Sequence, residues 1–269
     1  MKAQARFAIP VFTGIEVKGA YFAINRGISS EVIFGESGAN NKIAKKTVKT
    51  VLKMFGEKRK FSVEIKGNCY EYIDSNSAVV VSSALATVGE IAEERGAIYE
   101  FKMDRFMRVQ FSVIDGKVVD KLSILKECSK NTGINFSSVV SSAFGGFSVT
   151  EGYEIKRRGE MERFYVVFER AERFFNCDDS QLELCYEKAL GGDIYGAMKL
   201  NAFLHGVNSG EPIFGVTEKG FKFILKKERP NREFFKTSNM EAKILKKPKG
   251  VVKIHEFLRI KRDENFYLI

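Results

Sequence analysis

Apolar positions along the chain follow two spacings, one of two residues and one near 3.6, and their order predicts a mixed α and β architecture. Residues 5–34 alternate short apolar stretches with turn residues (Thr13-Gly14, Lys18-Gly19 and Arg26-Gly27), the pattern of successive strands. Asn40-Asn41 then precede Ile43, Thr47, Val51 and Phe55 at four-residue spacing, with Leu52 on the same face and Gly56 closing the run. This is the pattern of a capped amphipathic helix. Phe61, Val63 and Ile65 alternate as a further strand. From Ser77 to Arg95 an Ala- and Val-rich stretch with an acidic tail predicts a helix that is apolar on most sides and buried between a sheet and other helices.

Residues 98–113 fit both periods. Met107, Val109, Phe111 and Val113 alternate like a strand, while Phe101, Arg105, Phe106 and Val109 line a helix. After Asp115-Gly116, the residues Val118, Leu122 and Leu125 share one helical side. Beyond Gly145-Gly146 the spacing predicts strands at 147–157 and 163–169 and helices at 180–190 and 193–206. Strands at 213–217, 221–226 and 241–246 and an apolar stretch at 251–258 complete the chain. A division near 150–155 gives two units, residues 1–152 and 153–269, with no low-complexity linker between them.

Composition narrows the classes. With 269 residues, 44% hydrophobic content and 24 Phe, the chain can bury a large core. No apolar run reaches membrane-span length and MKAQARFAIPVF lacks a signal-peptide core, so a cytoplasmic location is expected. Cys69, Cys128, Cys177 and Cys185 are scattered, and only His205 and His255 supplement them, which argues against a zinc site. The net charge of +10 suits anionic partners, a small anionic metabolite among them. Its local runs, Lys156-Arg157-Arg158, Lys226-Lys227 and Lys246-Lys247, flank strand patterns, and no basic stripe or aromatic platform for nucleic acid stands out.

Three segments carry a resemblance to a known family. They are Gly19-Ala20-Tyr21-Phe22-Ala23-Ile24, then Ser142-Ala143-Phe144-Gly145-Gly146-Phe147, and Glu187-Lys188-Ala189-Leu190-Gly191-Gly192-Asp193 with Ala197-Met198-Lys199-Leu200-Asn201-Ala202. In this order they resemble the GHMP kinase superfamily, and archaeal shikimate kinase more than its other members. The resemblance implies an α+β fold of two domains, the first like domain 2 of ribosomal protein S5 and the second ferredoxin-like. It also implies an ATP and Mg site between them.

Carried over residue by residue, the resemblance nominates Ser75, Asn76, Ser77, Ser82 and Ser83 for phosphate contact, in two alternative registers. In one, a phosphate loop falls on Asn68–Ser75, where the family's glycines are replaced and Glu71 and Asp74 are acidic. In the other, Ser82-Ser83-Ala84 opens the helix behind Ala78-Val79-Val80-Val81. Glycine loops with helix N-termini bind phosphate because backbone donors converge there, and carboxylates oppose that. Gly215, Thr217 and Gly220 match a second glycine loop, although Gly215–Phe221 also reads as a hairpin turn. Lys18, Gly145 and Asn201 are the nominees for the acceptor substrate. Ser137 and Ser138 stand where the family has a catalytic acid. A serine hydroxyl orients a substrate by hydrogen bonding but does not take its proton near neutral pH.

Two functions follow. The first is a divergent ATP-dependent kinase of a hydroxy acid such as shikimate. The second is an inactive relative that keeps the fold as a binding or regulatory protein.

Overall fold

The computed structural model describes residues 1–12, 17–95, 111–114, 117–170, 177–206, 213–216, 220–226, 228 and 234–245. The chain begins with a hairpin of β1 (Lys2–Pro10) and β2 (Lys18–Phe34). Next come β3 (Gly38–Ala39), α1 (Lys42–Met54), β4 (Phe61–Lys66), α2 (Asn76–Arg95), β5 (Phe111–Ile114), β6 (Lys117–Asp120), α3 (Lys121–Thr132) and α4 (Phe136–Phe144). Then follow β7 (Phe147–Glu151), β8 (Glu154–Gly159), β9 (Tyr165–Arg170), α5 (Asp179–Leu190) and α6 (Ile194–Leu204). The remaining strands are β10 (Ile213–Val216), β11 (Phe221–Lys226), β12 (Phe235–Lys236) and β13 (Lys243–Ile244).

The largest sheet runs β13-β1-β2-β4-β3, and β7 joins the free part of β2 and carries β8. Along β1, Ala3, Ala5, Phe7 and Ile9 are buried at two-residue spacing, so the strand presents one apolar face to the core. β2 is continuous for 17 residues, which corrects the expected turns at Lys18-Gly19 and Arg26-Gly27. The second of these pairs is a bulge. Arg6 pairs with Gly27 and Ala8 with Ala23, so Phe7 alone faces three residues of β2. A Cβ at Gly27 would run into the carbonyl oxygen of Ala5, which is why glycine stands at the bulge.

α1 begins at the N-cap Asn41, whose side chain accepts from the Ala44 N–H at 3.0 Å, and Gly56 follows it with φ 70°. α2 is buried on most sides, as its composition predicts, between β1 and β2 and the helices α1, α3 and α4. Val118 lies on β6 and not on a helix, because Asp120 caps α3 by accepting from Leu122 and Ser123. Of residues 98–113, those from Phe111 onward form a strand, while 96–110, like Thr13-Gly14 and 251–258, lie outside the described residues. The segment 241–246 contributes just the two-residue β13.

A second sheet, β10-β11-β9-β12, packs on the first through contacts such as Phe22 against Phe223, with ring centroids 6.0 Å apart. One buried cluster extends from Ala3 to Ala242 and draws on both halves. The expected division at 152/153 falls in the β7–β8 hairpin, where Gly152 turns with φ 56°. Among the described residues no helix is long and apolar enough to cross a membrane.

Gly27→Ala is expected to lower stability by about 2–4 kcal/mol, because added volume there meets backbone that cannot move aside. Gly38→Ala, whose Cβ would lie 3.9 Å from the nearest side-chain atom, is the control and is expected to change it by less than about 0.5 kcal/mol. Urea unfolding followed by circular dichroism measures both.

Candidate functional site

The segment between β4 and α2 holds the first group of nominated residues. Asp74 Oδ1 accepts from the backbone N–H of Asn76, the first residue of α2, at 2.9 Å. Ser75 and Asn76 are half-buried and Ser77 is buried. The helix start therefore already carries a carboxylate. Attraction of an anion to a helix N-terminus is worth about 0.3–1 kcal/mol at an exposed site. Two like charges 4 Å apart near a protein surface repel by roughly 4 kcal/mol. Repulsion wins, and a phosphate close to Asp74 is disfavoured.

Aromatic rings hold the same segment against the second sheet. The Tyr70 ring stands 5.1 Å from that of Phe235 and 6.0 Å from that of Phe7. Tyr72 packs on Phe168 at 4.5 Å and on Phe221 at 5.3 Å. Rings at these separations interact favourably beyond the area they bury. In the stretch that a glycine loop would occupy, Tyr70, Tyr72 and the buried Ile73 thus pack against the fold, while Asn68, Cys69, Glu71 and Asp74 are exposed.

Ser82 and Ser83 lie further along α2 and face β2. Both are fully buried, with Ser30 Oγ 2.6 Å from Ser82 Oγ and 2.9 Å from Ser83 Oγ. The Ser82 hydroxyl also reaches the Ala78 carbonyl at 2.6 Å. The register that would turn these hydroxyls toward a phosphate is corrected by this geometry, since they serve one another and the backbone inside the core.

Ser137 and Ser138 open α4. The N-cap Asn135 accepts from the N–H groups of both, and its amide would lie within 3 Å of any Cβ placed on Gly19. That close approach is why glycine stands at the start of β2. Ser137 Oγ donates to the Ser148 carbonyl at 2.7 Å, and Ser148 Oγ donates to the Ser137 carbonyl at 2.7 Å. Ser141 joins at 2.8 Å from Ser148 Oγ, and Ser138 Oγ donates to the Asn135 carbonyl at 2.7 Å. Ser137, Ser141 and Ser148 are fully buried and Ser138 is nearly so. This network joins α4 to β7.

Lys18 sits beside Gly19 on β2, and neighbouring strand residues point to opposite faces. Lys18 accordingly meets α5, while Gly19 meets α4. Its ammonium pairs with Glu183 and lies 4.6 Å from the centre of the Tyr186 ring. The hydrogen bond that Lys18 donates to Glu183 holds the Lys18 pKa above its usual value against the effect of burial. Burial raises the Tyr186 pKa as well, and its buried hydroxyl has no hydrogen-bond partner among the described residues. Lys18 and Ser137 therefore do not converge on one face.

Gly145 has φ 71°, and a Cβ there would lie 2.5 Å from the carbonyl carbon of Asn239. Gly146, at φ 65°, is equally crowded by Gly159 and exchanges backbone hydrogen bonds with Ser238 and Ala23. Packing accounts for this glycine pair. Asn201, on α6, is fully buried, and both its side-chain polar atoms lack a partner among the described residues. Gly215 lies on β10, which pairs antiparallel with β11, and Gly220 precedes β11 with φ 77°. Thr217 lies outside the described residues. Among the described residues no group of three His, Cys, Asp or Glu side chains could hold a metal ion.

Asn135, Asp74, Tyr70 and Tyr72 were not among the nominated site residues. Asn-x-Ser-Ser ahead of an apolar run is an N-cap pattern and marks the first of them. The tyrosines carry no local signal, because their partners lie far away in the chain.

No protein-family model matches the sequence, and no curated protein matches it either. The fold does match solved structures. Mevalonate kinase of Methanococcus jannaschii aligns with a TM-score of 0.55 at 10% identity, over 90% of this chain and 98% of that one. Homoserine kinase of Cytophaga hutchinsonii gives 0.51 at 13% identity, over 85% of each chain. Mevalonate pyrophosphate decarboxylase of Streptococcus pyogenes gives 0.54 at 9%, over 90% and 96%. The chain has the α+β fold of the GHMP kinases.

Ser148→Ala is expected to destabilise the protein by about 1–3 kcal/mol, because buried donors and acceptors around it lose their partners. Ser138→Ala, which removes one local bond at the helix start, is expected to cost about 0.5–1 kcal/mol. Chemical denaturation of both variants beside the parent protein gives the comparison.

Proposed function

We propose that this chain is a GHMP-fold binding or regulatory protein that does not transfer phosphate from ATP. The carrying observation is the segment before α2, where Asp74 accepts from the helix start and Tyr70 and Tyr72 pack against the second sheet. ATP and Mg do not fit the residues present there, since carboxylates and rings stand in place of converging backbone donors. The acceptor side agrees. Ser137 and Ser138 bond to backbone and to Ser148, and neither hydroxyl is a base. The fold alone favours the other reading, an ATP-dependent small-molecule kinase, since mevalonate and homoserine kinases share it.

Calorimetric titration of the folded protein with Mg-ATP separates the two. The expected result is no saturable binding at millimolar nucleotide and no ADP release in the presence of shikimate, mevalonate or homoserine. Saturable binding together with turnover of any of these acceptors would overturn the proposal.

A further inference from the structure

The lysines that look scattered in the sequence come together on α1. Lys42, Lys45, Lys46, Lys49 and Lys53 are all exposed, and the helix contains no acidic residue. At 3.6 residues per turn the five fall within about 100° of the helix circumference and span roughly 16 Å of its axis. None has an ion-pair partner among the described residues. Glu57 is paired with Arg59 and Arg95, Glu94 with Arg59, and Glu31 and Glu64 with Lys66.

The opposite face of α1 is committed to the core through Ala44, Thr47, Val48, Val51 and Leu52. What remains outward is a stripe of charge with no apolar or aromatic residue inside it. Protein interfaces need a desolvated apolar or aromatic centre, and helices that lie in a membrane surface need an exposed apolar side. α1 offers neither. A nucleic-acid backbone needs cations alone, and the five lysines can neutralise up to about five phosphates. We propose that the exposed lysine face of α1 binds the phosphate backbone of a nucleic acid without reading its sequence. This proposal does not rest on the segment before α2, so it holds whether or not the chain binds nucleotide.

The test is fluorescence anisotropy of the full chain with a labelled single-stranded RNA of about 20 nucleotides, and in parallel with duplex DNA, across a salt series. Five contacts to a single strand predict a log–log salt slope of about −3.5, an affinity loss near 100-fold between about 50 and about 200 mM salt. The triple variant Lys45→Gln, Lys49→Gln, Lys53→Gln is expected to reduce the slope to about −1.4, since glutamine keeps the helix and removes the charge. Lys188→Gln, Lys199→Gln, Lys243→Gln removes equal charge elsewhere and is expected to leave the slope unchanged; circular dichroism checks that both triples are folded. Three results would overturn the proposal. These are absence of salt-dependent binding by the parent protein, equal loss in both triples, or tighter α1-dependent binding to phosphatidylserine vesicles than to either nucleic acid.

Discussion

The pairing of β2 holds the rest of the structure in place. One edge of this 17-residue strand carries β1 for most of its length. The other edge takes β7 over residues 18–22, a bridge from Ile24 to Thr237, and β4 over residues 29–34. Two neighbours can share an edge in this way because the strand bends between them, and the bulge opposite Phe7 supplies the bend. Gly27 is the residue that permits it, since a side chain there would meet the backbone of β1. The bend leaves a break in the ladder near Asn25. Into it comes the backbone N–H of Lys236, donating to Asn25 Oδ1 at 2.9 Å, so β12 of the second sheet is tied to the first.

The packing around the candidate site follows from this arrangement. Because β12 is drawn to β2, Phe235 lies within reach of Tyr70, and Phe168 of β9 within reach of Tyr72. The start of β2 meets the start of α4 so closely that Gly19 and Asn135 leave no room for a side chain between them. Hydroxyls that would be polar handles in an open cleft are used up in the core by Ser30, Ser148 and backbone carbonyls. Buried polar groups satisfied by one another stabilise a fold but are not free to hold a ligand. A GHMP fold can thus be kept while the groups around its helix starts are turned to packing, which is why the fold alone does not carry the function.

Charge is arranged separately from this core. Lys18 is paired with Glu183 and leans on Tyr186, so that cation binds α5 to the sheet. The five lysines of α1 have no such partners among the described residues and face outward together. Equal residues therefore play different parts according to what the fold brings opposite them.

Several elements could be read directly. The caps at Asn41 and Gly56, the apolar run of α2 and the β10–β11 hairpin depend on neighbours within a few residues, and local spacing and turn chemistry decide such features. The GHMP likeness in fold was also legible, from three short segments in order. What the sequence could not settle depends on residues distant in the chain. A glycine after Arg26 reads as a turn until β1 is seen to press against it. Ser82 and Ser83 look like a phosphate cradle until Ser30 is found opposite them. Local pattern determined which elements form, because hydrogen bonding within a helix or hairpin turn involves near neighbours. Tertiary packing decided which polar groups remain free to act, because that depends on what each one faces across the fold.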